Sequence, residues 1–274
     1  MARVHSVILA AAVVGCVLPA PAQIITTIAG NAIYDRAPAT QIPLNWPAGV
    51  AVDAQGNFWI ADTSNHVIRR VDAVTGEARI VAGGGTIADP AGPVAATSAI
   101  LEMPTSIVRD SAGNLYFCET VRYRVRKVSP DGMLTTLAGT GQQGFSGDGG
   151  LATRATLSDP RSLALDAAGN LYISDTFNQR VRKVTAATGI ITTIAGGGTG
   201  GDGVPATAAA LSLAAGGLAL DSKGNLYIGQ PSSVKRVDAA TGIITTVAGG
   251  GSVPCCSLSL NAPATSVALA GVSG

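Results

Sequence analysis

The chain has 274 residues, with 18 Lys and Arg against 17 Asp and Glu, a formal charge of +1, 47% apolar and 13% charged residues, 35 Gly and 14 Pro. So much apolar content with so little charge excludes a disordered chain. The even charge balance excludes a dedicated nucleic-acid binder, which needs an excess of Lys and Arg against phosphate.

Residues 1–22 read as a secretory signal: Arg3 and His5, an apolar run from Val7 to Leu18, then Ala20-Pro21-Ala22 before Gln23. The run falls short of the roughly 20 residues of a membrane span. Cleavage is therefore expected to leave a secreted or periplasmic chain, 23–274. The competing reading is a lipoprotein signal, with Val13-Val14-Gly15-Cys16 as lipobox and Cys16 as anchor, although no polar tether follows. Cys118, Cys255 and Cys256 remain after cleavage, an odd number that argues against a disulfide framework. Cys118 reads as a small buried filler, and the adjacent Cys255 and Cys256 as unpaired loop thiols.

From there the chain repeats. Ile24 to Gly30 is a lone strand pattern ending in Gly. Gly-Asn then recurs at 56–57, 113–114, 169–170 and 224–225, each time after an Asp three residues earlier: Asp53, Asp110, Asp166 and Asp221. Each Asp closes an apolar first strand and each Asn opens a second: Phe-Trp-Ile-Ala-Asp (58–62), Leu-Tyr-Phe-Cys-Glu (115–119), Leu-Tyr-Ile-Ser-Asp (171–175) and Leu-Tyr-Ile-Gly-Gln (226–230). Gly and Asn tolerate positive φ, and the Asp carboxylate can accept turn N–H groups, so a tight hairpin is predicted. A third strand follows, Val-Ile-Arg-Arg-Val (67–71), Val-Arg-Lys-Val (125–128 and 181–184) or Val-Lys-Arg-Val (234–237). A fourth, such as Ile-Thr-Thr-Ile-Ala-Gly (191–196), ends in Gly. Four complete units result, 47–83, 104–139, 160–196 and 215–249, with partial strands at 24–30 and 264–269, the latter read as a lone first strand. No sustained 3.6-residue apolar period occurs, so the fold is predicted all-β. One four-stranded meander cannot cover both of its faces, and copies stacked around an axis cover each other.

The stretch Gly-Asn-Leu-Tyr-Ile-Ser-Asp-Thr-x-Asn-Gln-Arg-Val-Arg-Lys-Val (169–184) resembles an NHL repeat, with similar motifs at Asn57 to Val71 and Asn114 to Val128 and a weaker one at Asn225 to Val237. The resemblance implies a β-propeller of four-stranded NHL-type blades. Because that family generally has about six blades, four complete units between two partial ones imply a truncated six-bladed-like ring, an open arc or a strained closure. It also implies a non-catalytic binding or scaffold module, with loops on one face meeting a protein or carbohydrate partner. The alternative is a lactonase-like hydrolase or lyase with a metal held by acidic residues on one face.

Five carboxylates are candidate binding residues. Asp62, Glu119 and Asp175 end the second strands and become Gln230 in the fourth unit; they could ring one end, with His66 as a further ligand. Asp148 and Asp202 occupy equivalent places in the glycine-rich loops 139–150 and 196–203, where carbonyls and a carboxylate could hold Ca²⁺, although no EF-hand or P-loop spacing is present. Capping of local amides is the competing role of all five. His66 is the one histidine after the signal, which excludes a multi-histidine zinc site. Ser146, in Gly-Phe-Ser-Gly, lacks a nucleophile elbow. The third-strand cations are expected near the outer rim, their stems over apolar surface and their heads in water. No nucleic-acid partner is expected.

Overall fold

The structure, a computed structural model, describes residues 36–88, 92–213, 217–251, 263–266 and 269. The signal, Cys16, the strand read at 24–30 and the Cys255-Cys256 pair lie outside them. The described chain is all-β, four antiparallel sheets joined by turns and short 3-10 segments. None of its helices is long and apolar enough to cross a membrane.

Each sheet is a meander of first, second, third and fourth strands. Blade 1 comprises Pro47–Val52, Phe58–Asp62, Val67–Val71 and Glu77–Gly83, and blade 2 Pro104–Arg109, Leu115–Glu119, Arg124–Val128 and Met133–Ala138. Blade 3 comprises Pro160–Leu165, Leu171–Asp175, Arg180–Val184 and Ile191–Gly196, and blade 4 Leu218–Leu220, Leu226–Gln230, Ser233–Val237 and Ile244–Gly249. First strands lie side by side at the centre: the Leu163 N–H donates to Ser106 Oγ at 3.0 Å and the Leu218 N–H to Ser162 Oγ at 2.9 Å. A Cβ at Gly49 would come within 2.9 Å of the Ile107 nitrogen, so glycine permits the same approach between blades 1 and 2.

Alternation sends one set of side chains forward and the other back. Trp59, Ala61, Ile68 and Ala82 of blade 1 pack on Ile107, Leu115, Phe117 and Leu134 of blade 2, and the pattern recurs at each later junction. Cys118 is fully buried in this layer as a free thiol whose pKa burial pushes up, at the place of Ala61 and Ser174. Blade 1's own leading face is covered by the connector through Ala39, Ile42 and Leu44, and Val50 there is 41% exposed where Ile107, Leu163 and Leu218 are 4, 3 and 9% exposed.

The connectors form a fifth element that sequence reasoning missed. Before each blade the chain pairs with the outer fourth strand, at Ala37–Pro38, Val94–Ala95, Leu151 and Pro205. This occupies hydrogen-bonding groups that an edge strand otherwise offers to other chains. A 3-10 turn follows, Ala39–Gln41, Ala96–Ser98, Ala152–Arg154 and Ala206–Ala208, each with its Ala buried. Ala264–Ser266 is the next such turn, which corrects the expected lone strand at 264–269. Its Ala-Thr signature repeats the connector's, and Leu269 seats beside Gly249 as Leu211 seats beside Gly196.

The Asp-x-x-Gly-Asn turn is built as its residues predict. Asp166 Oδ1 accepts from the Ala168 and Asn170 N–H groups at 3.0 and 2.8 Å, and Oδ2 from Asn170 Nδ2 at 2.8 Å. Asn170 Oδ1 in turn accepts from the Ala186 N–H at 2.9 Å, tying this turn to that between the third and fourth strands. Tyr116, Tyr172 and Tyr227 each donate a hydroxyl to the turn Asp of their own blade; blade 1 has Trp59 instead.

Two outcomes follow. Gly196 has φ of 83°, and a Cβ there would collide with the Gln179 carbonyl and lie 2.9 Å from Leu211 Cδ1. Gly196→Ala is expected to cost about 2–4 kcal/mol in urea unfolding, from left-handed strain plus displaced core. At Asp166 burial pushes the carboxyl up, but the Asn170 hydrogen bonds outweigh it and hold the group below the ordinary 3.8. A carboxyl so depressed stabilises the fold fully above 3.8 and loses that contribution as pH falls through its folded value. Asp166→Asn is therefore expected to be less stable than the parent at neutral pH and to lose less stability below 3.8, followed by circular dichroism.

Candidate functional site

The five candidate carboxylates divide between the second strands and the connector loops, and the third-strand cations bring the two groups together. Arg69, Arg126 and Arg182 are 2, 2 and 0% exposed, which corrects the expectation that these heads reach water. Their position has a local cause. In every blade the pairing of third and fourth strands shifts register beside this residue, between Ile68 and Arg69, Thr136 and Ala138, Val181 and Arg182, and Val234 and Lys235. A bulge re-aims the neighbouring side chain. The guanidinium then lies along the sheet toward the end of the second strand.

There it meets the acid. Asp62 is fully buried and accepts from Arg69 Nε at 2.8 Å, from Asn65 Nδ2 at 2.9 Å and from the Asn45 N–H at 2.8 Å. Asp175 accepts from Arg182 Nη1 at 3.2 Å, Asn178 Nδ2 at 2.8 Å and the Ser158 N–H at 2.7 Å. Glu119 lies 3.5 Å from Arg126 Nε and accepts from the Glu102 N–H at 3.0 Å. Each acid thus joins a third-strand cation to the connector entering its own blade. Burial pushes Asp175 and Glu119 above the usual carboxylate range, against the pull of these donors. In blade 4 acid and arginine change together, to Gln230 and Lys235, and the buried Gln230 Nε2 has no hydrogen-bond partner.

The connector loops add the second group. Asp148, 40% exposed, accepts from Arg182 Nε at 3.1 Å and lies 2.8 Å from Nη2, which donates to the Ser146 carbonyl at 2.9 Å. The Phe145 ring stands 4.9 Å from the Arg182 guanidinium and 4.1 Å from that of Arg180, and the Gly144 carbonyl accepts from Asn178 Nδ2. Asp202 repeats the role on blade 4, accepting from Lys235 Nζ at 2.6 Å and the Thr246 N–H at 2.9 Å. Burial raises its carboxyl, but the Lys235 and Thr246 donors outweigh this and hold the group below its ordinary value.

Asp148 and Asp175 therefore converge on one guanidinium, Asp202 sits on its lysine counterpart, and Asp62 and Glu119 occupy separate blades. His66 stays apart from the acids, its Nδ1 accepting from the Met103 N–H at 3.1 Å. Ser146 Oγ meets Thr156 rather than a base. Among the described residues no three His, Cys, Asp or Glu side chains converge. The guanidinium partners were the missed element, although an Arg seven residues after the acid (62 and 69, 119 and 126, 175 and 182) was there to be read.

The upper end, where first strands begin and second strands end, has its own organisation. Thr63 and Thr120 hydroxyls donate to the Pro104 and Pro160 carbonyls of the next blade at 2.7 and 3.0 Å. Trp46, Met103 and Asp159 hold the left-handed conformation just before the first strands. Trp46 is 81% exposed and Phe177, on the loop after a second strand, 62%; Met103 and Val121 are also exposed.

The NHL repeat family matches residues 44–70. The protein SUPPRESSOR OF QUENCHING 1, chloroplastic, of Arabidopsis thaliana is 30% identical over 148 residues, which cover 50% of this chain and 14% of that protein, so the chain spans a small part of that relative. Among solved structures, one of the nidogen/laminin complex superposes with a TM-score of 0.53 at 18% identity, covering 76% of this chain and 66% of that one. A gluconolactonase from Xanthomonas campestris superposes with a TM-score of 0.50 at 20% identity, covering 75% and 62%. Likeness at such identity speaks for the fold alone. The chain therefore carries a segment matching the NHL repeat, residues 44–70, within a β-propeller fold of stacked four-stranded blades.

Proposed function

We propose that the chain is an exported binding module, secreted or periplasmic, whose upper-end loops hold a protein or carbohydrate partner without catalysing a reaction. The observation that carries this reading is the display of Trp46 and Phe177, mostly in solvent, on loops fixed by the blade framework. Large apolar side chains on rigid loops are the common anchors of recognition surfaces. The nidogen/laminin likeness shows the same fold in a protein assembly.

The alternative, a lactonase-like hydrolase or lyase, is favoured by the gluconolactonase likeness. It needs acids free to take a metal or a proton. Here Asp62, Asp175 and Glu119 face arginine and backbone N–H groups, and a Ca²⁺ ion would have to displace Arg182 from both Asp148 and Asp175. These carboxylates act as struts of the blade.

Removing one partner of a buried pair strands the other charge, at about 3–5 kcal/mol. Arg182→Leu is expected to lose that much in urea unfolding, and Asp148→Ala, at the solvent-facing side, less than about 1 kcal/mol. For function, the mature chain is to be screened on arrays of glycans and of extracellular proteins. Binding that falls at least about tenfold in the Trp46→Ala, Phe177→Ala double variant supports the reading, on the scale of anchor residues. Metal-dependent turnover of lactones or esters by the parent chain overturns it.

A further inference from the structure

At the opposite end, between blades 1 and 2, lies a cleft of about 660 Å³ into which Arg36, Arg70, Arg79 and Arg109 reach. Arg109 crosses from blade 2 to blade 1, its guanidinium 4.8 Å from the Trp59 ring, and Arg70 lies 5.8 Å from the same ring. Stacking on an indole fixes the plane of a guanidinium and leaves its edge donors pointing outward. Arg70 spends one donor on Asp72 at 3.1 Å. Among the described residues, Arg36, Arg79 and Arg109 have no ion-pair partner, and the buried Arg109 Nε has no hydrogen-bond partner. The one carboxylate on the cleft wall, Asp131, already accepts from the Ser129 hydroxyl and the Met133 N–H.

The other blades supply an internal control. Strand register makes Arg79 equivalent to Thr135, Thr192 and Thr245, and Arg109 equivalent to Val52, Leu165 and Leu220. Trp59 stands where Tyr116, Tyr172 and Tyr227 stand, giving up their hydroxyl bond to the turn Asp. The fold needs none of these three changes, since three blades stand without them. Arg70 is paired with Asp72 and Arg109 lies in the field of Asp53, yet four guanidiniums against one wall carboxylate leave the cleft positive, a charge that a bound anion offsets.

We propose that this cleft binds a phosphate or sulfate ester of sugar size. Guanidinium forks match the oxygen pairs of tetrahedral oxyanions bidentately. The volume, within the roughly 300–1,000 Å³ of small-molecule sites, exceeds what a bare ion fills. The walls around it, Ile80, Val81 and the Ser129 to Gly132 turn, offer apolar surface and backbone to the remainder of such a molecule. The site is independent of the upper-end surface and stands or falls separately.

Calorimetric titration of the mature chain with glucose 6-phosphate, glucose 6-sulfate, inorganic phosphate, inorganic sulfate, glucose and a short oligonucleotide tests it. Saturable binding of at least one ester is expected, about tenfold or more tighter than of the inorganic ions and weakening with added salt, with no heat from glucose. Arg79→Thr with Arg109→Leu, which installs the residues of the other blades, is expected to weaken ester binding at least about tenfold, the scale of one lost charge-assisted contact. Arg36→Ala, at the rim, should weaken it by a smaller factor and guards against a folding defect in the double variant. The Trp46→Ala, Phe177→Ala variant should bind the ester unchanged. Absence of ester binding, equal binding by the double variant, inorganic ions binding as tightly as the esters, or an oligonucleotide binding more tightly than both would each overturn the proposal.

Discussion

A four-stranded sheet with apolar side chains on both faces cannot leave either face in water, and the rest of this architecture is a consequence of that constraint. Stacking one blade on the next covers both, but only where backbones approach closely. Glycine at 49, serine at 106 and 162, and the small series Ala61, Cys118 and Ser174 make the approach possible. Burying all the strands also removes water from their ends. Every polar group there must then be answered from within the protein.

The carboxylate and guanidinium of each blade are the answer at the upper end. A connector arriving at a blade presents a backbone N–H with no strand partner, and Asp62, Glu119 and Asp175 accept it. A carboxylate in that place needs a cation, and the register shift turns the third-strand arginine toward it. Remote from each other in sequence, the connector, the second strand and the third strand become one unit through this pair. The exposed acids of the glycine-rich loops, Asp148 and Asp202, extend the same arrangement outward and hold each loop on the blade that follows.

The strands and the hairpin turn were legible in the sequence because their determinants are local. Gly at positive φ, Asp accepting turn amides and a two-residue alternation act within about ten residues, so Asp-x-x-Gly-Asn followed by Leu-Tyr-Ile announces itself. The connector was not legible in the same way. Its outer pairing is two residues long and its 3-10 turn one turn long, too short for periodicity, so Ala264–Ser266 read as a strand. The depth of Arg69, Arg126 and Arg182 was hidden for another reason. Alternation says which face a residue takes, but the bulge that turns an arginine along the sheet is a property of two strands together.

Tandem copies let structural residues be told from the others without any second protein. A position that keeps its chemistry in four blades, such as the turn aspartates, serves the blade, because each blade meets the same physical problem. A position where one blade departs from three is free to serve something outside that problem. Trp59, Arg79 and Arg109 depart together and meet in space, although the last belongs to a different blade from the first two. Gln230 and Lys235 also depart together, but there the pair replaces one structural solution with a weaker one and leaves an amide unanswered. Departures that cost the fold a bond and concentrate positive charge toward solvent suit an anionic partner, and the cleft between blades 1 and 2 is where this chain carries them.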